Sequence, residues 1–310
     1  MFKRFIILLL NFFLALNCLA EESAIQTGEL KVVSEISLHD LLKSSGSYQK
    51  HEASGVVVAN GKVHIAFDNH NETAQVDFNL KEAQLQTVRN PKLGYEGITY
   101  NPIDHEFYLV EEALKHDGEF KARLSIMSQD LTLKKKKWLQ YNFQSKNKGF
   151  EGLTFVTTKN KQYILALCEG NACESGAASK IPGTGRIQVF LKKKNKLKYV
   201  TSISLPPNLP FIDYSGMAIS DSHMLAITSQ ESSAVWVGKL DVKNWHIAGD
   251  STIYKFPVDN NGNPVYCNIE GIDWLSKNQL VTVSDAKKDN QPEFCKSKAQ
   301  SVHIISLSER

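Results

Sequence analysis

The segment Gly149-Phe150-Glu151-Gly152-Leu153-Thr154-Phe155 has four partial copies in the chain. They are Glu52-Ala53-Ser54-Gly55-Val56, Tyr95-Glu96-Gly97-Ile98-Thr99-Tyr100, Tyr214-Ser215-Gly216-Met217-Ala218 and Ile269-Glu270-Gly271-Ile272-Asp273-Trp274. Each joins a residue with a side-chain oxygen to a glycine and then to an apolar, alternating run. Self-similarity at a long, loosely fixed period marks a repeat architecture, so it limits the fold before any single residue is interpreted.

Each copy opens a unit whose alternation predicts four short strands. In the second unit these read as 97–100, 107–110, 123–127 and 137–143, with a turn at Asn101-Pro102-Ile103-Asp104. In the third they read as 153–157, 162–167, 186–191 and 197–205. Four alternating strands per repeat, separated by turn residues, are the pattern of propeller blades. The fifth unit runs out after its third strand, 301–307, while the alternating segment 30–38 precedes the first unit. Pairing the two closes the ring and covers an edge that would otherwise invite aggregation. The expectation is an all-β, five-bladed β-propeller closed by an N-terminal strand. Six blades are the alternative that the chain length admits, although no sixth copy of the motif exists.

Residues 1–20 read as a secretory signal peptide: Lys3 and Arg4 precede an apolar run, and Cys18-Leu19-Ala20 offers a small residue before Glu21. Lipidation at Cys18 is the alternative, which Asn17 disfavours. The rest, 21–310, is then one propeller domain, exported to the periplasm or beyond and expected to be monomeric. No later stretch has the ~20 apolar residues of a membrane helix. The formal net charge is only +3, and losing Lys3 and Arg4 lowers it further; a nucleic-acid partner, which calls for a strong basic excess, is not expected. The runs Lys134–Lys137 and Lys192–Lys194 read as solvated outer edges. Four cysteines outside the leader suit an oxidising compartment, and position favours Cys168 with Cys173 and Cys267 with Cys295.

The first strand of a propeller blade lines the central channel, so the five motif oxygens, Ser54, Glu96, Glu151, Ser215 and Glu270, are expected to ring its mouth. Carboxylates brought together without a counter-charge repel one another and hold protons through raised pKa values. A divalent cation relieves this. Calcium accepts six to eight oxygen ligands at ~2.3–2.6 Å in irregular geometry; zinc and copper prefer nitrogen or sulfur, and magnesium wants stricter geometry. The competing reading is structural: the glycine permits a tight bend, and each Ser or Glu bonds a neighbouring blade's backbone.

A second tier, Asp68, Glu112, Glu169, Gln230 and Asp285, ends the second strands at similar offsets from the ring. Its acids are the candidate catalytic groups, orienting water or substrate; the competing reading is that they start turns. Long segments gather at the same end: 113–122, 170–185 and 286–300 leave second strands, while 205–213 and 258–268 lead into Ser215 and Glu270. Long loops on a rigid scaffold are where binding concentrates. They carry His116, Lys121, Arg123, Lys180, Arg186, Lys287, Lys288, Lys296 and Lys298, which suit an anionic ligand or simple solubility. His51, His70 and His105 are acid/base candidates. No G-x-S-x-G elbow is present.

The five motif units resemble those of the SdiA-regulated family of extracytoplasmic propellers, usually placed beside the phytase-like propellers. The resemblance runs from about Leu30 to the C-terminus and implies a β-propeller outside the cytoplasm. The order Ser54, Glu96, Glu151, Ser215, Glu270 is also similar to the axial calcium site of the calcium-activated nucleotidases (apyrases), which implies that these five residues are calcium ligands. Those enzymes carry Asp-Asp-Arg-Thr-Gly after the first ring residue; this chain has Asp68-Asn69-His70-Asn71-Glu72, and their arginine-rich substrate motif has no counterpart. Calcium therefore transfers better than nucleotide hydrolysis. Two functions stay open: a non-catalytic calcium-binding module whose mouth binds a small-molecule or envelope ligand, and a calcium-dependent hydrolase of phosphate esters or anhydrides.

Overall fold

The computed structural model describes residues 23–43, 50–88, 94–146, 148–194 and 196–308. The expected leader, residues 1–20 with Cys18, lies outside these. The described chain folds into five sheets arranged as a five-bladed β-propeller. Blade 1 holds Ala53–Ala59, Lys62–Phe67, Glu72–Val76 and Ala83–Thr87; blade 2 holds Tyr95–Asn101, Glu106–His116, Glu119–Met127 and Leu133–Trp138. Blade 3 is Phe150–Thr158, Lys161–Cys168, Arg186–Lys192 and Leu197–Ser204, and blade 4 is Gly216–Ile219, Met224–Ser229, Ala234–Asp241 and His246–Lys255. Blade 5 takes Ile269–Ser276, Gln279–Ser284 and Ser301–Ser308 from the C-terminal end and Glu29–Ser37 from the N-terminal end. That last pairing is antiparallel, from Glu29 opposite Ser308 to Ser37 opposite Ser301, and it closes the ring.

The clasp is double. Before joining blade 5, residues Ile25–Thr27 add in parallel to the outer strand of blade 4, with Ile25 opposite Ser251. A three-residue parallel strand leaves little alternation to read in sequence. After the clasp, Ser37 Oγ accepts the Asp40 N–H at 3.0 Å and caps a short helix, Leu38–Leu42. The apolar face of that helix is buried with Val283 and Val302 of blade 5 and Ile65 of blade 1.

The core is divided among the seams. Five apolar clusters are buried, one between each pair of adjacent blades, such as Trp236 with Leu165 and Leu167 between blades 3 and 4, or Tyr108 with Phe150 and Ile164 between blades 2 and 3. Each fully buried large side chain contributes roughly 1.5–3 kcal/mol. The alternation of every strand thus serves two seams at once, one face toward the preceding blade and one toward the next.

Two strand expectations need correction. The outer strand of blade 2 is Leu133–Trp138 and not 137–143, because a tight turn, with the Leu131 N–H bonded to Ser128 O at 3.0 Å, starts it early. The lysine run is therefore the strand itself. It is anchored to neighbours: Lys134 to Glu106 at 2.6 Å, Lys136 to Glu111 at 3.0 Å, and Lys137 to the Lys194 carbonyl of blade 3 at 3.2 Å. Segment 113–122, expected as a loop, is largely an extension of the hairpin Glu106–His116 and Glu119–Met127 around Asp117-Gly118. Both expected disulfides form, Cys168–Cys173 and Cys267–Cys295. The second ties the segment entering blade 5 to a 3-10 turn, Glu293–Lys298. No described helix is long and apolar enough to cross a membrane.

Candidate functional site

Each ring residue owes its position to a local irregularity. In blade 1 Ala53 pairs with Phe67 and Gly55 with Ala66, so Ser54 is the extra residue of a β-bulge. The same shift falls at Glu96, Glu151 and Glu270. In blade 4 the Ser215 N–H bonds Thr228 O at 3.0 Å while Gly216 pairs with the same Thr228. A bulge takes one residue out of the pleat and re-aims its side chain. The polar residue of the motif is thereby released from the seam-facing alternation in all five blades.

The motif glycine has a different task from the tight bend the sequence suggested. None of the five has a positive φ. A Cβ on Gly55 would sit 2.9 Å from Gly97 Cα, one on Gly97 3.0 Å from Glu151 O, and one on Gly152 2.7 Å from Met217 N. One on Gly216 would sit 2.6 Å from Glu270 O, and one on Gly271 2.8 Å from Val56 N. Each glycine therefore abuts the motif of the next blade, and the contacts run once around the axis. Glycine is required because the five inner strands converge more tightly than a methyl group allows. Little space is left at this neck, a cavity of about 10 Å³ bordered by the five glycines together with Glu151 and Glu270.

The ring is chemically divided. Ser54 Oγ donates to Tyr95 O at 2.5 Å, and Ser215 Oγ donates to Ile269 O at 2.6 Å. Each serine thus ties its blade to the residue before the next ring glutamate, as the structural reading anticipated. The glutamates behave otherwise. Burial raises the Glu96 carboxyl to about 8, and the charges of Asp68, Glu112, Glu169 and Asp285 push in the same direction. Glu151 lies well above the usual range through burial and then Glu96, Glu169 and Glu270. Glu270 does too, through burial, with Lys288 opposing and Asp285, Asp213 and Glu96 adding. These mutual effects place the three ring carboxyls in one electrostatic neighbourhood.

The acids of the second tier join them. The Asp68, Glu112, Glu169 and Asp285 N–H groups bond the carbonyls of Glu52, Gly94, Gly149 and Asn268, each two residues before a ring position. Burial raises Asp68 and Glu112, and it takes Asp285 to about 6. Gln230, the uncharged member of the tier, accepts from Lys288 Nζ at 3.3 Å.

Two further acids at the inner-strand entrances were missed, Glu52 and Asp213. They lie two residues before Ser54 and Ser215, where the glutamate-bearing blades have Gly94, Gly149 and Asn268. Each blade thus carries one acid at the entrance of its inner strand, at the ring position or two residues before it. That exchange is legible once the copies are aligned. Burial raises Asp213 to about 6 although it accepts from Ser229 Oγ and the Glu231 N–H.

Most of the expected loop cations are occupied elsewhere. Arg123 pairs with buried Glu111 and lies over Trp138; His116 stacks on Trp138 at 4.1 Å. Lys180 meets Glu231 at 3.0 Å, Lys287 and Lys296 meet Glu293, and Lys298 meets Glu35. Arg186 donates to Gly185 O at 2.9 Å, and Lys121 sits in the blade 2 hairpin opposite Leu114. Lys288 alone of the set forms an ion pair with a ring residue, Glu270 at 3.9 Å. Lys148 pairs with Glu169 and Lys50 with Glu52. His51 and His70 are packed beside Phe67, and burial lowers both, His70 to about 4. His105 sits in the inner turn of blade 2, bonded to the Tyr100 hydroxyl.

An all-oxygen, strongly acidic mouth can hold a hard cation or exchange protons near neutral pH. Among the described residues no three His, Cys, Asp or Glu side chains form a metal-binding group.

No protein family and no curated protein matches the chain. Solved structures do resemble it. The glutaminyl cyclase of Myxococcus xanthus has 9% identity and a TM-score of 0.53, over 93% of this chain and all of that one (100%). The PQQ-bound aldose sugar dehydrogenase of Streptomyces coelicolor has 10% identity and a TM-score of 0.48, over 91% of this chain and 99% of that one. At such identities the likeness concerns the propeller scaffold alone.

Proposed function

We propose that the protein is an exported calcium-binding propeller whose mouth face holds a ligand without turning it over, in keeping with its likeness to the SdiA-regulated propellers. One observation carries the reading: every blade delivers an acid to one end of the axis, and burial with mutual repulsion raises Glu96, Glu151 and Glu270. Three lysines nearby, Lys50, Lys148 and Lys288, offset only part of that charge. The donor set fits calcium because it is all oxygen. Glu96, Glu151 and Glu270 would hold the ion, with Ser54 and Ser215 offering lone pairs beside the hydrogen bonds they donate. Bound calcium would supply the counter-charge and draw the five blades together. Elemental determination on protein prepared without chelator, with melting in calcium and in chelator, tests this. The expected result is about one calcium per chain, a higher melting temperature with calcium, and loss of both in Glu151→Gln. Protein free of divalent ions with no melting response would refute it.

The second reading is a calcium-dependent hydrolase of phosphate esters or anhydrides. It is favoured by Asp285, raised to about 6 and so able to orient and deprotonate water, and by Lys288 beside Glu270 as an anchor for an anionic substrate. Asp68, Glu112 and Glu169 are the other acids within reach of such a substrate. A panel of nucleotides, phytate and aryl phosphates with calcium decides it: turnover lost in Asp285→Asn favours the hydrolase, and intact calcium binding without turnover favours the module.

A further inference from the structure

Beyond the glycine neck the inner strands splay, and a cavity of about 1120 Å³ opens among them at the far end of the axis. Its wall repeats with the blades. The residues four places after the ring positions are Val58, Tyr100, Phe155, Ile219 and Trp274, and all five line it. Three of the five are aromatic. The volume is close to the upper end of what small-molecule sites enclose, ~300–1,000 Å³.

One acid is set into this wall. Among the described lining residues the other charged groups, Asp221 and Lys277, are exposed in the turns between first and second strands, whereas Asp273 sits on the inner strand beside Trp274. Asp273 Oδ2 accepts the Val58 N–H at 2.6 Å across the seam between blades 5 and 1, and Oδ1 accepts the Trp274 N–H at 2.8 Å. A carboxylate has about four acceptor positions, so each oxygen keeps one lone pair. No described Lys, Arg or His forms an ion pair with it. Burial raises its carboxyl to about 7, against the two N–H donors that favour the ionised form.

The geometry points to a second binding site, for a small organic ammonium ion whose charged head meets Asp273 and whose apolar body lies against Tyr100, Phe155 and Trp274. A lone carboxylate cannot satisfy the six to eight oxygen ligands of calcium. An anion would be repelled, and a neutral ligand would cover the carboxylate without pairing it, which is costly. Aromatic faces attract ammonium groups, most strongly where water is excluded. This site is independent of the calcium reading, because it lies beyond the neck and uses none of the mouth acids.

Benzyltrimethylammonium and its neutral carbon analogue neopentylbenzene are the probes, titrated into the full chain in the presence of chelator and followed by calorimetry and tryptophan fluorescence. The expected result is saturable binding of the cation, on the order of tenfold tighter than the neutral analogue, and unchanged in Glu151→Gln. Asp273→Asn should weaken it by a similar factor. Because Asp273→Asn also touches the Val58 seam bond, Trp274→Leu is measured in parallel: it removes an aromatic face while leaving that carboxylate in place. Absence of saturable binding, equal affinity for the neutral analogue, or unchanged affinity in both variants would overturn the assignment.

Discussion

The same five inner strands line both ends of the propeller axis, yet the ends differ in almost every chemical respect. At the mouth each strand contributes a bulged or bulge-adjacent polar residue, and acids from all five blades crowd together. At the far end the strands contribute Val58, Tyr100, Phe155, Ile219 and Trp274 with one carboxylate, Asp273. The bulge makes the difference. Upstream of it the side chain leaves the seam alternation and turns to the axis; downstream the pleat resumes and apolar residues return. Between the two lies the glycine neck, which holds the strands together and separates the ends.

The comparison breaks first if the neck breaks. Gly152→Val places a side chain where even a Cβ would be 2.7 Å from Met217 N, so about 3 kcal/mol or more of stability should be lost. Thermal melting should show both ends failing together. A stable Gly152→Val protein would mean that the neck is looser than its contacts require.

Removing the Cys267–Cys295 disulfide, which closes a separation of 28 residues beside the mouth, should cost roughly 2–4 kcal/mol in the double serine variant. The calcium response should weaken while benzyltrimethylammonium binding, referred to the folded fraction, stays the same.

The acids of the mouth give the next effect, and its sign is set by their shift. Glu96 has a folded-state pKa of about 8 against an ordinary 4.5. Between these values the folded state retains a proton that the unfolded state has released, so stability falls as pH rises through that window and levels off above it. Calcium-free protein should therefore melt at lower temperature at pH 8 than at pH 5, and the gain from calcium should grow over the same range. Glu96→Gln should flatten this dependence. With solvent screening allowed for, it should stabilise the calcium-free protein by about 1–2 kcal/mol at pH 8 while reducing the calcium response. A melting profile unchanged by that substitution would mean that the carboxyls are not crowded.

The smallest expected effect is a coupling near zero. Glu96→Gln and Trp274→Leu should add in stability to within about 0.5 kcal/mol, as distant sites do. A larger interaction energy would show that the neck transmits strain between the ends.

Much of this was legible in the chain. The five motif copies located the inner strands, and the missing fourth strand of the last unit pointed to the N-terminal segment that supplies it as Glu29–Ser37. Ser54, Glu96, Glu151, Ser215 and Glu270 all lie at the entrances of inner strands, as spacing implied. Other features were not legible. The lysine run 134–137 did not read as a strand because its residue type hid the alternation. The parallel Ile25–Thr27 strand is too short to carry a period. Glu52 and Asp213 were visible as an exchange with the ring glutamates, but only an alignment of the copies shows it. Asp273 resembles any polar residue in an alternating strand until the seam bond to Val58 is seen.

By itself the sequence determined how many blades there are and which residues open each one, because side-chain alternation and turn chemistry are local and repeat with the chain. Only the tertiary structure decided why the motif needs its glycine, which hydroxyls are tied to the backbone, and how many acids share the mouth. These depend on distances between residues far apart in sequence, and burial and charge repulsion act through such distances rather than along the chain.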